Sequence, residues 1–142
     1  MKLPTLTTSL LIAGLTFGST AVMADEYVID TKGAHASIKF RVQHLGYSWL
    51  YGRFNEFSGN FSYDEKQPEN ASVEVIIKTS SVDSNHAERD KHLRSDDFLN
   101  VAKYPEAKFV STSYTQGKDG NGVLKGNLTL NGVTKPLEID VE

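Results

Sequence analysis

The stretch "SIKFRVQH", residues 37–44, decides how this chain is read. Ile38, Phe40 and Val42 alternate with Lys39, Arg41 and Gln43. A period of two is the pattern of a β-strand with one buried face. The same period returns along the chain. "FSGNFSY" (57–63) puts Phe57, Phe61 and Tyr63 on one face, and "SVEVIIKT" (72–79) does the same with Val73, Val75 and Ile77. "LKGNLTL" (124–130) groups Leu124, Leu128 and Leu130, and "PLEIDVE" (136–142) groups Leu137, Ile139 and Val141. "AKFVSTSY" (107–114) reads as a weaker strand, rich in Thr, Val and aromatics.

Polar turns separate these runs at 66–70 and 116–122, and Asn131-Gly132 is a strong hairpin signal because both residues tolerate positive φ. Successive one-face-buried strands with short links predict an antiparallel all-β barrel or sandwich. One segment departs from the rule. "NHAERDKHLRSDDFLN" (85–100) is highly charged and does not alternate. Asn85 can cap a helix, with Glu88 reaching back to it. Glu88–His92 and Asp90–Arg94 are spaced to pair along one turn. The segment predicts one or two short helices at one end of the sheet.

The first residues are set aside. Lys2, the apolar run Leu10–Phe17 and the small residue Ala24 form a secretory leader. The apolar run is far shorter than the ~20 residues that span a bilayer. Cleavage after Ala24 predicts an exported domain from Asp25 to Glu142, periplasmic if the host is bacterial. There is no Cys, so disulfides, thiolate metal sites and thiol nucleophiles are excluded. With 15 basic and 18 acidic side chains the formal net charge is −3. That balance points away from nucleic acid and from anionic membrane surfaces, both of which favour a basic patch.

Chemistry has few candidates. The four His are His35, His44, His86 and His92. None sits in a paired metal-ligand spacing, so no metal is expected. No nucleophile elbow is present, and Asp96-Asp97 reads better as part of a helix turn than as an acid–base pair. His44 continues the phase of Ile38, Phe40 and Val42, so it is a hydrogen-bonded core histidine, a strand-end histidine half in water, or a polar anchor at the mouth of a cavity. The following "HLGYSWLYGRF" (44–54) gathers Tyr47, Tyr51 and the single Trp of the chain, Trp49, between two glycines. These aromatics either plug a barrel end or stand as amphipathic gatekeepers at its opening.

Three blocks together resemble the YceI-like family of bacterial periplasmic proteins. They are "QHLGYSWLYGRFNEFSG" (43–59), "DSNHAERDKHLRSDDFLNVAKYPEAKF" (83–109) and "GNLTLNGVTKPLEI" (126–139). The resemblance covers nearly all of the exported part. It implies a lipocalin-like antiparallel barrel whose apolar pore holds a polyisoprenoid or isoprenoid quinone, with no catalytic residue and no other cofactor. It also implies a link to stress and transient contact with inner-membrane quinone or cytochrome proteins, and it allows a dimer. The matching positions are His44–Gly46, Gly52–Phe54, His92–Ser95, Tyr104-Pro105 and Gly132–Thr134, which look like architecture around the pore. Family members continue through further strands that close the barrel, so the chain is expected to be a piece of a longer protein.

On this reading the pore is lined by Ile38, Phe40, Val42, Phe57, Phe61, Val73, Val75, Ile77, Leu128 and Leu130, with His44, Tyr47, Trp49 and Tyr51 near its opening. Periodicity alone does not separate a hollow interior from a filled one. Two rival functions follow from the same residues: an enzyme of quinone or lipid metabolism using His44, and an interaction or stress-protective module docking through the charged segment 85–100.

Overall fold

The structure, a computed structural model, describes residues 24–33 and 35–142. The leader expected over residues 1–24 lies outside them, Ala24 excepted. The described chain is all-β and antiparallel with one short helix. In order it forms β1 (Asp25–Val28), β2 (Ile38–His44), β3 (Ser48–Phe54), β4 (Phe57–Tyr63), β5 (Ser72–Lys78), β6 (Val82–Asp83), α1 (Ala87–Arg94), β7 (Glu106–Gln116), β8 (Gly122–Leu130) and β9 (Val133–Val141). Single 3-10 turns occupy Pro68–Asn70 and Thr79–Ser81. One sheet has the order β1-β4-β5-β7-β8-β9, and a smaller one the order β2-β3-β6.

Register aligns the apolar alternation of neighbouring strands. Val75 lies opposite Gly59 on one side and Phe109 on the other, and Phe109 lies opposite Leu128. Directly opposed residues share a face, so these positions form one continuous inner row. β7 looked weak in sequence because its phase changes partway. The register slips between Ser111 and Ser113, so Ala107 and Phe109 precede the bulge on the inner face while Tyr114, opposite Leu124, takes it up afterwards. A bulge adds one residue and reverses the alternation.

Two glycines exist for aromatic neighbours. A Cβ at Gly126 would collide with the Phe109 ring, and one at Gly52 with the ring of Phe40, its register partner. Each ring lies across bare backbone, which lets the adjacent strands stay close beneath it. The β8–β9 turn forms on Asn131 (φ 48°) and Gly132 (φ 73°), as the Asn-Gly pair predicts.

The charged segment folds differently from its expected pairing. Asn85 has φ 62° and lies outside the helix; His86 is the cap, its Nδ1 accepting from the Arg89 N–H at 3.3 Å. Asp90 is buried and accepts from the backbone N–H of Ser84 at 2.8 Å. Arg94 donates to the carbonyls of Ser80 (2.8 Å) and Val82 (2.6 Å) rather than to Asp90. His92 meets Asp97 at 3.0 Å rather than Glu88. The charges of α1 therefore tie it to the 79–84 segment. Among the described residues β9 pairs only with β8 and β2 only with β3.

Candidate functional site

A cavity of about 650 Å³ opens where the inner faces of the two sheets meet. The smaller sheet supplies Ile38, Phe40 and Val42 from β2, Phe54 from β3 and Val82 from β6. The larger sheet supplies Val75 and Ile77, Ala107 and Phe109, Leu128 and Leu130, and Leu137 and Ile139. The helical segment covers one end with Leu93, Phe98 and Leu99. Among the described residues Lys39 is the single charged one at its edge, its side chain standing by alternation on the other face of β2 from Phe40, and no carboxylate, hydroxyl or imidazole borders the space. Such a lining is apolar almost throughout. It can take up hydrocarbon.

The space is open on the β9 side, where Leu137 and Ile139 remain 38% and 37% exposed. Of the residues named from sequence, Ile38, Phe40, Val42, Val75, Ile77, Leu128 and Leu130 border it. Phe57, Phe61 and Val73 share the inner phase but lie off its wall; Phe61 stacks on Tyr27 with ring centroids 4.9 Å apart. His44, Tyr47, Trp49 and Tyr51 lie outside it as well. His44 is the last paired residue of β2, opposite Ser48, and is exposed. Of the positions its phase allowed, the enclosed core one is not adopted, since His44 is exposed at the strand end. Trp49 carries the Arg41 guanidinium over its ring at 4.3 Å. Among the described residues no cluster of His and carboxylates is arranged to hold a metal ion.

Sequence reasoning left out Phe54, Val82, Ala107 and Phe109 and the helical residues. Leu93, Phe98 and Leu99 did carry a signal, as large apolar side chains inside a run otherwise made of charges. Leu137 and Ile139 stood out by their alternation but were not placed in the pore.

Val82, 1% exposed, is held at the wall by its neighbour. Asp83 accepts from the Asn85 backbone N–H (2.9 Å), from Asn55 Nδ2 (3.2 Å) and from Arg53 Nη2 (3.1 Å). These contacts, the Asn85 bond foremost, hold its carboxyl below the usual aspartate range. A depressed folded value means stability that is present above the unfolded pKa of about 3.9 and lost as pH falls through the folded value. Asp83→Asn therefore unfolds at lower urea concentration than wild type at pH 7, and the gap between the two narrows as the pH drops below the ordinary aspartate value. Urea titrations at a series of pH values check this; a gap that widens on acidification contradicts it.

A model of the YceI-like domain matches residues 27–142. This chain belongs to the YceI-like family. It is 62% identical over 129 residues to a UPF0312 protein of Shewanella sp. (strain MR-7), covering 91% of this chain and 68% of that one. The crystal structure of the Campylobacter jejuni YceI protein superposes with a TM-score of 0.61 at 34% identity, over 77% of this chain and 64% of that one. BcnA of Burkholderia cenocepacia shares the fold, with a TM-score of 0.67 at 20% identity over 84% of this chain and 70% of that one. The chain thus spans about two thirds of the length of these relatives. The YceI-like match takes in every wall of the cavity, from Ile38 to Ile139.

Proposed function

We propose that this YceI-like chain is a non-enzymatic periplasmic protein that holds or carries a long isoprenoid lipid, of polyprenyl or isoprenoid-quinone type, in its apolar cavity. The observation that carries the reading is the cavity wall: aliphatic and aromatic side chains throughout, with Lys39 the only charge at its edge. Each methylene moved from water to such a wall contributes about 0.8 kcal/mol, so one isoprene unit is worth ~4 kcal/mol. A prenyl chain therefore needs an apolar container to cross water, and it needs no elaborate polar recognition once inside. The periplasmic setting rests on the leader of Lys2, Leu10–Phe17 and Ala24. The stress role and transient contact with inner-membrane quinone or cytochrome proteins rest on the family resemblance.

The rival readings have less support. His44 lies outside the cavity and is exposed. Arg89 and Arg94 of the charged segment donate to Ser84, Ser80 and Val82, which leaves these guanidiniums fewer free donors for a partner.

The test is extraction of the protein purified from its native periplasm and mass spectrometry of the organic phase. A prenyl lipid is expected at near-equimolar amount. Repeated recovery without lipid, together with no uptake of added prenyl quinone, overturns the proposal.

A further inference from the structure

The outer face of the β2–β3 hairpin has a composition unlike the rest of the chain. Register places Lys39 opposite Arg53, Arg41 opposite Tyr51, and Gln43 opposite Trp49 on that one face. Residues 38–54 hold three cations and no carboxylate, in a chain whose formal net charge is −3. Arg53 is engaged by Asp83 at 3.1 Å, while Lys39 and Arg41 have no ion-pair partner among the described residues. The whole-chain charge thus conceals a local basic face, to which the argument from net charge does not apply.

The hairpin tip adds apolar reach. Leu45 is 78% exposed and Tyr47 94% exposed. Leu45 (φ 52°) and Gly46 (φ 80°) are left-handed, which turns the chain tightly and thrusts these side chains outward. Trp49 and Tyr51 are exposed just behind the tip. Trp and Tyr, with an apolar body and a polar edge, settle at the headgroup level of bilayers, and neighbouring cations are drawn to anionic headgroups.

We propose that this hairpin docks the protein on an anionic lipid bilayer, with Leu45 and Tyr47 entering the interface and Lys39 and Arg41 facing the headgroups. The same β2 strand sends Phe40 and Val42 to the cavity wall from its opposite face, so docking brings the cavity beside the membrane. The docking face stands whatever the cavity holds, because vesicle binding and lipid content are measured separately.

Trp49 is the only Trp, so its fluorescence reports on the hairpin alone. With phosphatidylglycerol-rich vesicles its emission shifts to the blue and the protein floats with the lipid. With pure phosphatidylcholine vesicles neither is expected. Each cation near an anionic surface changes partitioning roughly fivefold, so Lys39→Gln with Arg41→Gln lowers it about 25-fold. Added salt lowers it for wild type as well. Leu45→Ser with Tyr47→Ser, at exposed positions that leave the fold intact by circular dichroism, removes the blue shift. No flotation and no shift for wild type with anionic vesicles overturns the proposal and points to a protein partner instead. Equal binding to neutral vesicles, or undiminished binding by the Lys39 and Arg41 double variant, overturns it too.

Discussion

On the proposed function, Val75→Trp is expected to abolish isoprenoid uptake while leaving the protein folded. Val75 sits at the centre of the inner row, with Gly59 on one side and Phe109 on the other, and borders the cavity. An indole there projects into the cavity. Displacing a single isoprene unit forfeits ~4 kcal/mol of transfer free energy, or close to a thousandfold in affinity. The cost to the fold is smaller. Overpacking a filled core costs about 1–3 kcal/mol, and a hollow one yields more readily. The measurement pairs prenyl-quinone titration with a thermal melt. A variant that melts near wild type and no longer takes up the quinone is the expected result. Unchanged uptake with the indole in place would mean that the lipid lies elsewhere.

The face that each strand buries was legible from alternation, and the extent of the hollow along it was not. Phase assigned Ile38, Phe40 and Val42 to the interior, and they border the cavity. The same phase carried on to His44, which is exposed at the end of β2. At the opposite end Phe61 follows the phase correctly yet spends its face on Tyr27. Periodicity is a property of one strand; a cavity wall depends on which strands face each other, and that is set by pairing at long range. The bulge in β7 hid Phe109 for a related reason, since a strand that changes phase shows no clean alternation over its whole length.

The charged segment shows the other limit. Its side chains suggested helix-surface ion pairs, because i, i+4 spacing is the only partner that sequence can display. In the fold Asp90 and Arg94 reach backward to the backbone of residues 80–84, satisfying groups that the 3-10 turn and the short β6 leave unpaired. Exposed i, i+4 pairs contribute a few tenths of a kcal/mol, whereas hydrogen bonds to buried backbone from charged groups contribute more. A run of charge that reads as a solvated face is here the attachment of the helix that covers the cavity.

That attachment carries the second large expected effect. Asp90→Ala should destabilise the protein by about 3–4 kcal/mol, since hydrogen bonds to a charged acceptor are worth roughly 1.5–3 kcal/mol each. The carboxylate accepts from both the backbone N–H and the hydroxyl of Ser84, which is itself 3% exposed. Without it the Ser84 N–H is buried and unsatisfied, and the hydroxyl loses the acceptor that orients it toward Arg89 Nε, 2.7 Å away. Asp90→Asn keeps one oxygen acceptor and should cost less than half as much. In thermal melts the alanine variant is expected to fall by roughly 10–20 °C and the asparagine variant by much less. If the two variants melt together, the acceptor role assigned to Asp90 is wrong. If the alanine variant stays within about 2 °C of wild type, α1 is held by Arg89 and Arg94 without help from Asp90. Because Leu93 follows Asp90 by one turn and borders the cavity, loss of this anchor should also loosen the helical cover and, on the proposed function, speed the release of lipid, an effect that the asparagine variant largely escapes.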